Sequence, residues 1–101
     1  MKNRPDLQTL LEELLGSDHV YFQPPSTVQL KYPAIIYNRN DINNTFADDS
    51  VYKQSFEYKL TVIDKNPDSE IVKKVSALPK CRFDRHFNSN NLNHDVFVLY
   101  Y

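Results

Sequence analysis

Between Ser55 and Ile63 the chain alternates strictly, and this pattern constrains it most. Phe56, Tyr58, Leu60 and Val62 fall on one side, with Glu57, Lys59 and Thr61 on the other. A period of two is that of a half-buried antiparallel strand. A different period rules the N-terminal end. Leu7, Leu10, Leu11, Leu14 and Leu15 recur at helical spacing, giving one apolar stripe. Pro5 suits a first turn, Asp6 suits the positive end of the helix dipole, and Gly16 suits the position after the last turn. The spacing predicts a helix over residues 4–15.

The remaining segments extend this picture. Val20-Tyr21-Phe22-Gln23 reads as a short strand ended by Pro24-Pro25, which cannot donate to a ladder. Pro33 opens Ala34-Ile35-Ile36-Tyr37-Asn38, an apolar run expected to be buried on both faces. Residues 40–50 are polar and without period, and read as a long loop, flexible over about 40–52. Asn66 is the expected N-cap of a second short helix, with Pro67 and Asp68 in its first turn and Pro79 stopping it. Residues 81–87 alternate as a strand. Asn88-Ser89-Asn90-Asn91 reads as a turn, because Asn tolerates the left-handed conformation. Leu92–Tyr101 is a final strand, apolar on both faces and therefore central in the sheet or covered by another subunit. The expected fold is one α+β domain over residues 1–101, in the order α-β-β-β-α-β-β. Two helices pack on one face of a mostly antiparallel sheet.

Composition limits the function classes. A net charge of −1 exerts no global pull toward nucleic acid or anionic lipid. Cys81 is the only cysteine, so no internal disulfide forms, which suits a reducing compartment. Residues 1–6 lack the apolar run of a signal peptide, and no stretch has the length needed to span a bilayer as a helix. Asn43-Asn44-Thr45 matches a glycosylation acceptor, which carries no weight without secretion. One glycine leaves little scope for phosphate-cradling loops, while seven tyrosines and six phenylalanines supply the amphipathic groups enriched at protein interfaces.

The chemically suggestive clusters are weak. Cys81, Asp84 and His86 could suggest a nucleophile, but strict alternation along one strand would point Cys81 away from the other two. His19, His86 and His94 match no metal-ligand spacing, although His86 and His94 could meet across the last hairpin. Asp41, Asp48 and Asp49 are expected in a solvated loop. Lys80, Arg82 and His86 share one expected strand face, interrupted by Asp84, which faintly suggests a nucleic-acid-binding sheet. No catalytic residue, metal or cofactor is expected.

Several stretches look familiar together. They are Tyr32-Pro33-Ala34-Ile35-Ile36-Tyr37, then Asp41-Ile42 with Phe46-Ala47-Asp48, then Tyr58-Lys59-Leu60-Thr61-Val62-Ile63-Asp64 and Asn66-Pro67-Asp68-Ser69. Leu78-Pro79-Lys80-Cys81-Arg82-Phe83-Asp84-Arg85 and Asn91-Leu92-Asn93-His94-Asp95-Val96-Phe97 complete them. Across residues 7–101 this pattern resembles the tail-terminator or tail-completion proteins of long-tailed phages and prophages of Gram-positive bacteria. The resemblance rests on overall pattern, since none of these motifs is a chemical signature. It implies an α+β subunit that closes into a ring, usually of six copies, capping the tail tube and meeting the head connector. It also implies a virion protein, assembled in the host cytoplasm, with DNA only passing through the lumen and no catalytic residues. The long loop would then reach the lumen or a neighbouring ring. On this reading Asp41, Ile42, Phe46, Asp48, Tyr52, Tyr100 and Tyr101 are the candidate contacts to neighbouring subunits and partners. The alternatives are a small nucleic-acid-binding or host-interacting regulator and, third, a small hydrolase or nuclease.

Overall fold

The computed structural model describes residues 4–47 and 50–101, with side chains at 43, 45–47 and 51–54 left aside. The elements are α1 (Arg4–Leu15), β1 (Val20–Phe22), β2 (Ala34–Ala47), β3 (Ser50–Asp64), α2 (Glu70–Ser76), β4 (Cys81–Ser89) and β5 (Leu92–Tyr100). They form an α+β fold in the order α-β-β-β-α-β-β. The five strands make one sheet ordered β1-β2-β3-β5-β4. Only β1 and β2 run parallel; the other pairs are antiparallel.

Both helices cover one face of this sheet. Leu7 and Leu11 of α1 and Val75 of α2 meet Ile35, Tyr37, Tyr58, Leu60, Val62, Phe97 and Leu99 in a single core. Those strand residues are in register. Ile35 faces Val62, Tyr37 faces Leu60, Leu60 faces Phe97 and Tyr58 faces Leu99. The alternation of β3 is thus read out directly as inside and outside. β5 is apolar on both faces because it lies between β3 and β4. On its uncovered face, Val96 and Val98 are still almost fully buried. Lys59 and Arg82 flank Val98 in register, a position from which long aliphatic stems shield apolar neighbours.

Local chemistry sets the element ends. Gly16 has φ +81° and donates to the Glu12 carbonyl, closing α1. A Cβ there would meet nothing within 4 Å, so glycine is present for its backbone and not for space. Helix α2 corrects the sequence reading. Its N-cap is Ser69, whose hydroxyl accepts from Ile71 N at 3.2 Å. Asn66 instead accepts from Asp68 N at 2.9 Å in a turn one step upstream. The β4–β5 turn falls on Asn90 and Asn91, both at positive φ, as a tight hairpin turn requires.

The larger correction concerns residues 40–52. Residues 40–47 and 50–52 are strand, not loop. β2 runs through Ala47 and β3 starts at Ser50, paired along their length from Ala34–Ile63 to Ala47–Ser50. The polar residues hid the strand, because Asn38 to Ile42 are exposed one after another and show no hydrophobic period.

Candidate functional site

The β2–β3 hairpin outruns the rest of the sheet. β1 pairs with β2 only at Ile35, Ile36 and Tyr37. β5 pairs with β3 only from Glu57 onward. Beyond these limits, among the described residues, the two strands pair only with each other, forming a two-stranded arm over residues 42–47 and 50–56. The molecule is accordingly elongated, at 51 × 27 × 23 Å. Its radius of gyration is 14.7 Å, against about 13 Å expected for a domain of this size.

Two irregularities shape the arm. The register shifts between Arg39 and Asp41, which leaves Asn40 as an extra residue. It shifts again between Thr45 and Phe46, where Tyr52 is the extra residue on β3. Such bulges bend a ribbon and strengthen its twist.

A set of contacts clamps the base of the arm to the domain. Arg39 lies over the Phe56 ring, 5.4 Å from its centre, and Phe56 meets Tyr58 edge to face. Asn40 donates its side-chain amide to Glu57. The Tyr100 hydroxyl also bonds Glu57, and this bond, followed by that of Asn40, holds the Glu57 carboxyl below its ordinary range. The same bond raises Tyr100. Tyr101 N donates to the Phe56 carbonyl at 3.0 Å, and burial raises the Tyr101 phenol.

The sequence-derived contact residues divide accordingly. Asp41, Tyr100 and Tyr101 gather at the base, since Asp41 pairs with Glu57 and Glu57 with Tyr100. Ile42 stands on the arm, 42% exposed. Phe46 and Tyr52 belong by backbone to the arm strands, but their side chains lie outside the described residues. Asp48 lies outside them altogether.

The β4 edge was not singled out by the sequence. Every residue of β4 after Cys81 is exposed, including Phe83 at 54% and Phe87 at 41%. Asp84 is an inserted residue, for Phe83 pairs with Phe97 and Arg85 with Val96. This bulge reverses the expected facing of everything after it. His86 joins Cys81 on the helix-covered side, where it meets Asp95 at 2.8 Å. Arg85 joins Arg82 on the uncovered side. The expected row of Lys80, Arg82 and His86 is therefore replaced by Lys59, Arg82 and Arg85, and Lys80 precedes the strand at positive φ.

The other clusters do not assemble. Cys81 and His86 share a face but pair with Leu99 and Asp95, about 13 Å apart along β5. Burial raises the Cys81 thiol, which reduces its thiolate fraction. His86 and His94 point to opposite faces, and His94 stacks on Phe87 with ring centres 4.6 Å apart. Among the described residues, no group of three or more His, Cys, Asp or Glu side chains could hold a metal ion. Among them, too, no helix is long and apolar enough to cross a membrane.

No protein-family model matches the sequence, and no curated protein matches it significantly.

Proposed function

We propose that the chain is a structural subunit of phage tail assembly, a tail-terminator or tail-completion protein at the head–tail junction. It acts through protein–protein contacts, closing into a ring, of six copies by the resemblance, between the tail tube and the head connector. Its place is then the virion, with DNA passing through the lumen. The observation that carries this reading is the two-stranded arm. An isolated two-stranded ribbon is marginally stable in water, so an arm of this length is suited to being covered by a neighbour. The resemblance over residues 7–101 supports the same reading. The test is Phe46→Asp, placed on the arm. The reading requires that assembly into rings is lost while the circular dichroism of the folded domain persists. Unchanged rings would remove the arm from the mechanism.

A second reading is favoured by one observation. Lys59, Arg82 and Arg85 share the uncovered sheet face with Tyr100 and the Phe87–His94 stack, a basic and aromatic surface suited to nucleic acid. Salt-dependent binding to generic single-stranded DNA, lost in Arg82→Ala and Arg85→Ala, would support a regulator. Absence of binding at low salt would dispose of it.

A further inference from the structure

A nine-residue edge strand with exposed aromatics invites pairing, and among the described residues no strand pairs with its outer edge. We propose that β4 pairs with β4 of a second copy, antiparallel, about a two-fold axis passing between Asp84 and Arg85. The inference rests on the edge strand alone and stands whether or not the arm builds a ring.

The register follows from facing. In that arrangement Asp84 lies opposite Arg85 of the second copy, and Arg85 opposite its Asp84. Phe83 lies opposite His86, Arg82 opposite Phe87, and Cys81 opposite Asn88. In a regular strand such partners, an odd number apart, would sit on opposite faces of the sheet and could not pair. The bulge removes this obstacle. Phe83 and His86 pair across β5 with Phe97 and Asp95, so both face the helix-covered side. Arg82 and Phe87 pair with Val98 and His94, so both face the uncovered side. Cys81 and Asn88 pair with Leu99 and Asn93, again on the covered side. The inserted residue sits at the centre of the proposed symmetry, so all three pairs agree. Centring the pairing on Arg85 instead would oppose Phe83 to Phe87 on different faces and set Arg85 against itself.

The charges select the occupant. Two reciprocal Asp84–Arg85 pairs are formed only with an antiparallel copy of this strand, and like charges directly opposite one another are unfavourable. The guanidinium of Arg82 meets the exposed ring of Phe87, adding two cation–π contacts. Charged residues that deter foreign strands from an edge here become specific for the same strand. An isologous contact of this kind is the commonest symmetry of homo-oligomers.

Charge exchange provides the test, read by sedimentation equilibrium on the full chain. The wild type is expected to contain a species of two 11.9 kDa chains. Asp84→Arg alone and Arg85→Asp alone should each weaken it by about tenfold or more, since each sets like charges opposite one another twice. An equimolar mixture of the two variants should restore association, because both pairs are then complementary. A wild type monomeric at every concentration, single variants that associate normally, or a mixture no better than either variant would overturn the proposal. A second measurement does not depend on charge. Asn88→Cys places a thiol opposite Cys81 of the second copy, so diamide should yield a covalent dimer, whereas Asn90→Cys should not. Equal cross-linking by the two variants would also overturn the register.

Discussion

Tyr37 and Tyr58 pack edge to face in the core with ring centres 5.9 Å apart, yet their hydroxyls differ in kind. That of Tyr37 donates to Gln8 Oε1 and accepts from Arg4 Nη1 at 3.2 Å. That of Tyr58 is buried with no hydrogen-bond partner among the described residues. Tyr37 therefore ties α1 to the sheet, helped by Gln8, whose amide reaches the Val20 carbonyl at 3.1 Å. Tyr58 contributes its ring and carries an unpaired hydroxyl.

The contrast gives paired expectations. Tyr37→Phe should destabilise by about 1–2 kcal/mol, because it leaves the Gln8 carbonyl oxygen and an Arg4 donor unpaired. Tyr58→Phe should be neutral or stabilising by up to about 1 kcal/mol, since it removes only a buried unpaired group. Urea midpoints at constant slope measure both. Equal losses in the two variants would mean that Tyr58 has a partner in solution.

Gly16 gives a backbone prediction. Its φ of +81° disfavours any side chain, although there is room for one. Gly16→Ala should cost about 1 kcal/mol, and Gly16→Asn less, because Asn tolerates the left-handed region better. The melting temperatures of the two variants check the order.

The Glu57–Tyr100 bond makes stability depend on pH at both ends of the range. The Glu57 carboxyl is held low, so its contribution is present above the unfolded carboxylate range and is lost as pH falls through its folded value. The Tyr100 phenol is raised, so its contribution is present below the unfolded phenol range and is lost as pH rises through its folded value. Glu57→Gln should be less stable than wild type at pH 7, and the difference should vanish in acid. Both residues are only half-buried, so the effect should shrink in high salt. Denaturant titrations at pH 3 and pH 7 measure it.

Cys81 tests the non-catalytic view of its surroundings. Its thiol is raised by burial against the core, so it should react with Ellman's reagent several-fold more slowly in the folded chain than in urea. Faster reaction when folded would indicate an activated thiol.

Much of the domain was legible in the sequence because two regular periods were intact. The leucine spacing of α1, bounded by Pro5 and Gly16, and the alternation of β3 each report a single buried face. The two-sided apolar strand at the C-terminal end called for a place inside the sheet or under another subunit, and β5 lies inside the sheet between β3 and β4. The arm was illegible for a physical reason. Asn40, Asp41, Ile42 and Asn44 are all exposed and supply no burial pattern, and strand propensity is largely a measure of packing. The start of α2 was misread because Asn66 makes the same kind of side-chain bond in a turn that it would make at a cap. The facing of Arg85, His86 and Phe87 could not be read because one inserted residue, Asp84, inverts a period of two and leaves no mark in composition.

In the proposed ring each subunit covers the arm of its neighbour. Light scattering of the purified full chain across a concentration range, followed by negative-stain imaging of the largest species, tests it most directly. The account predicts a closed ring of several 11.9 kDa subunits around a central hole. Particles no larger than a dimer at every concentration would contradict it.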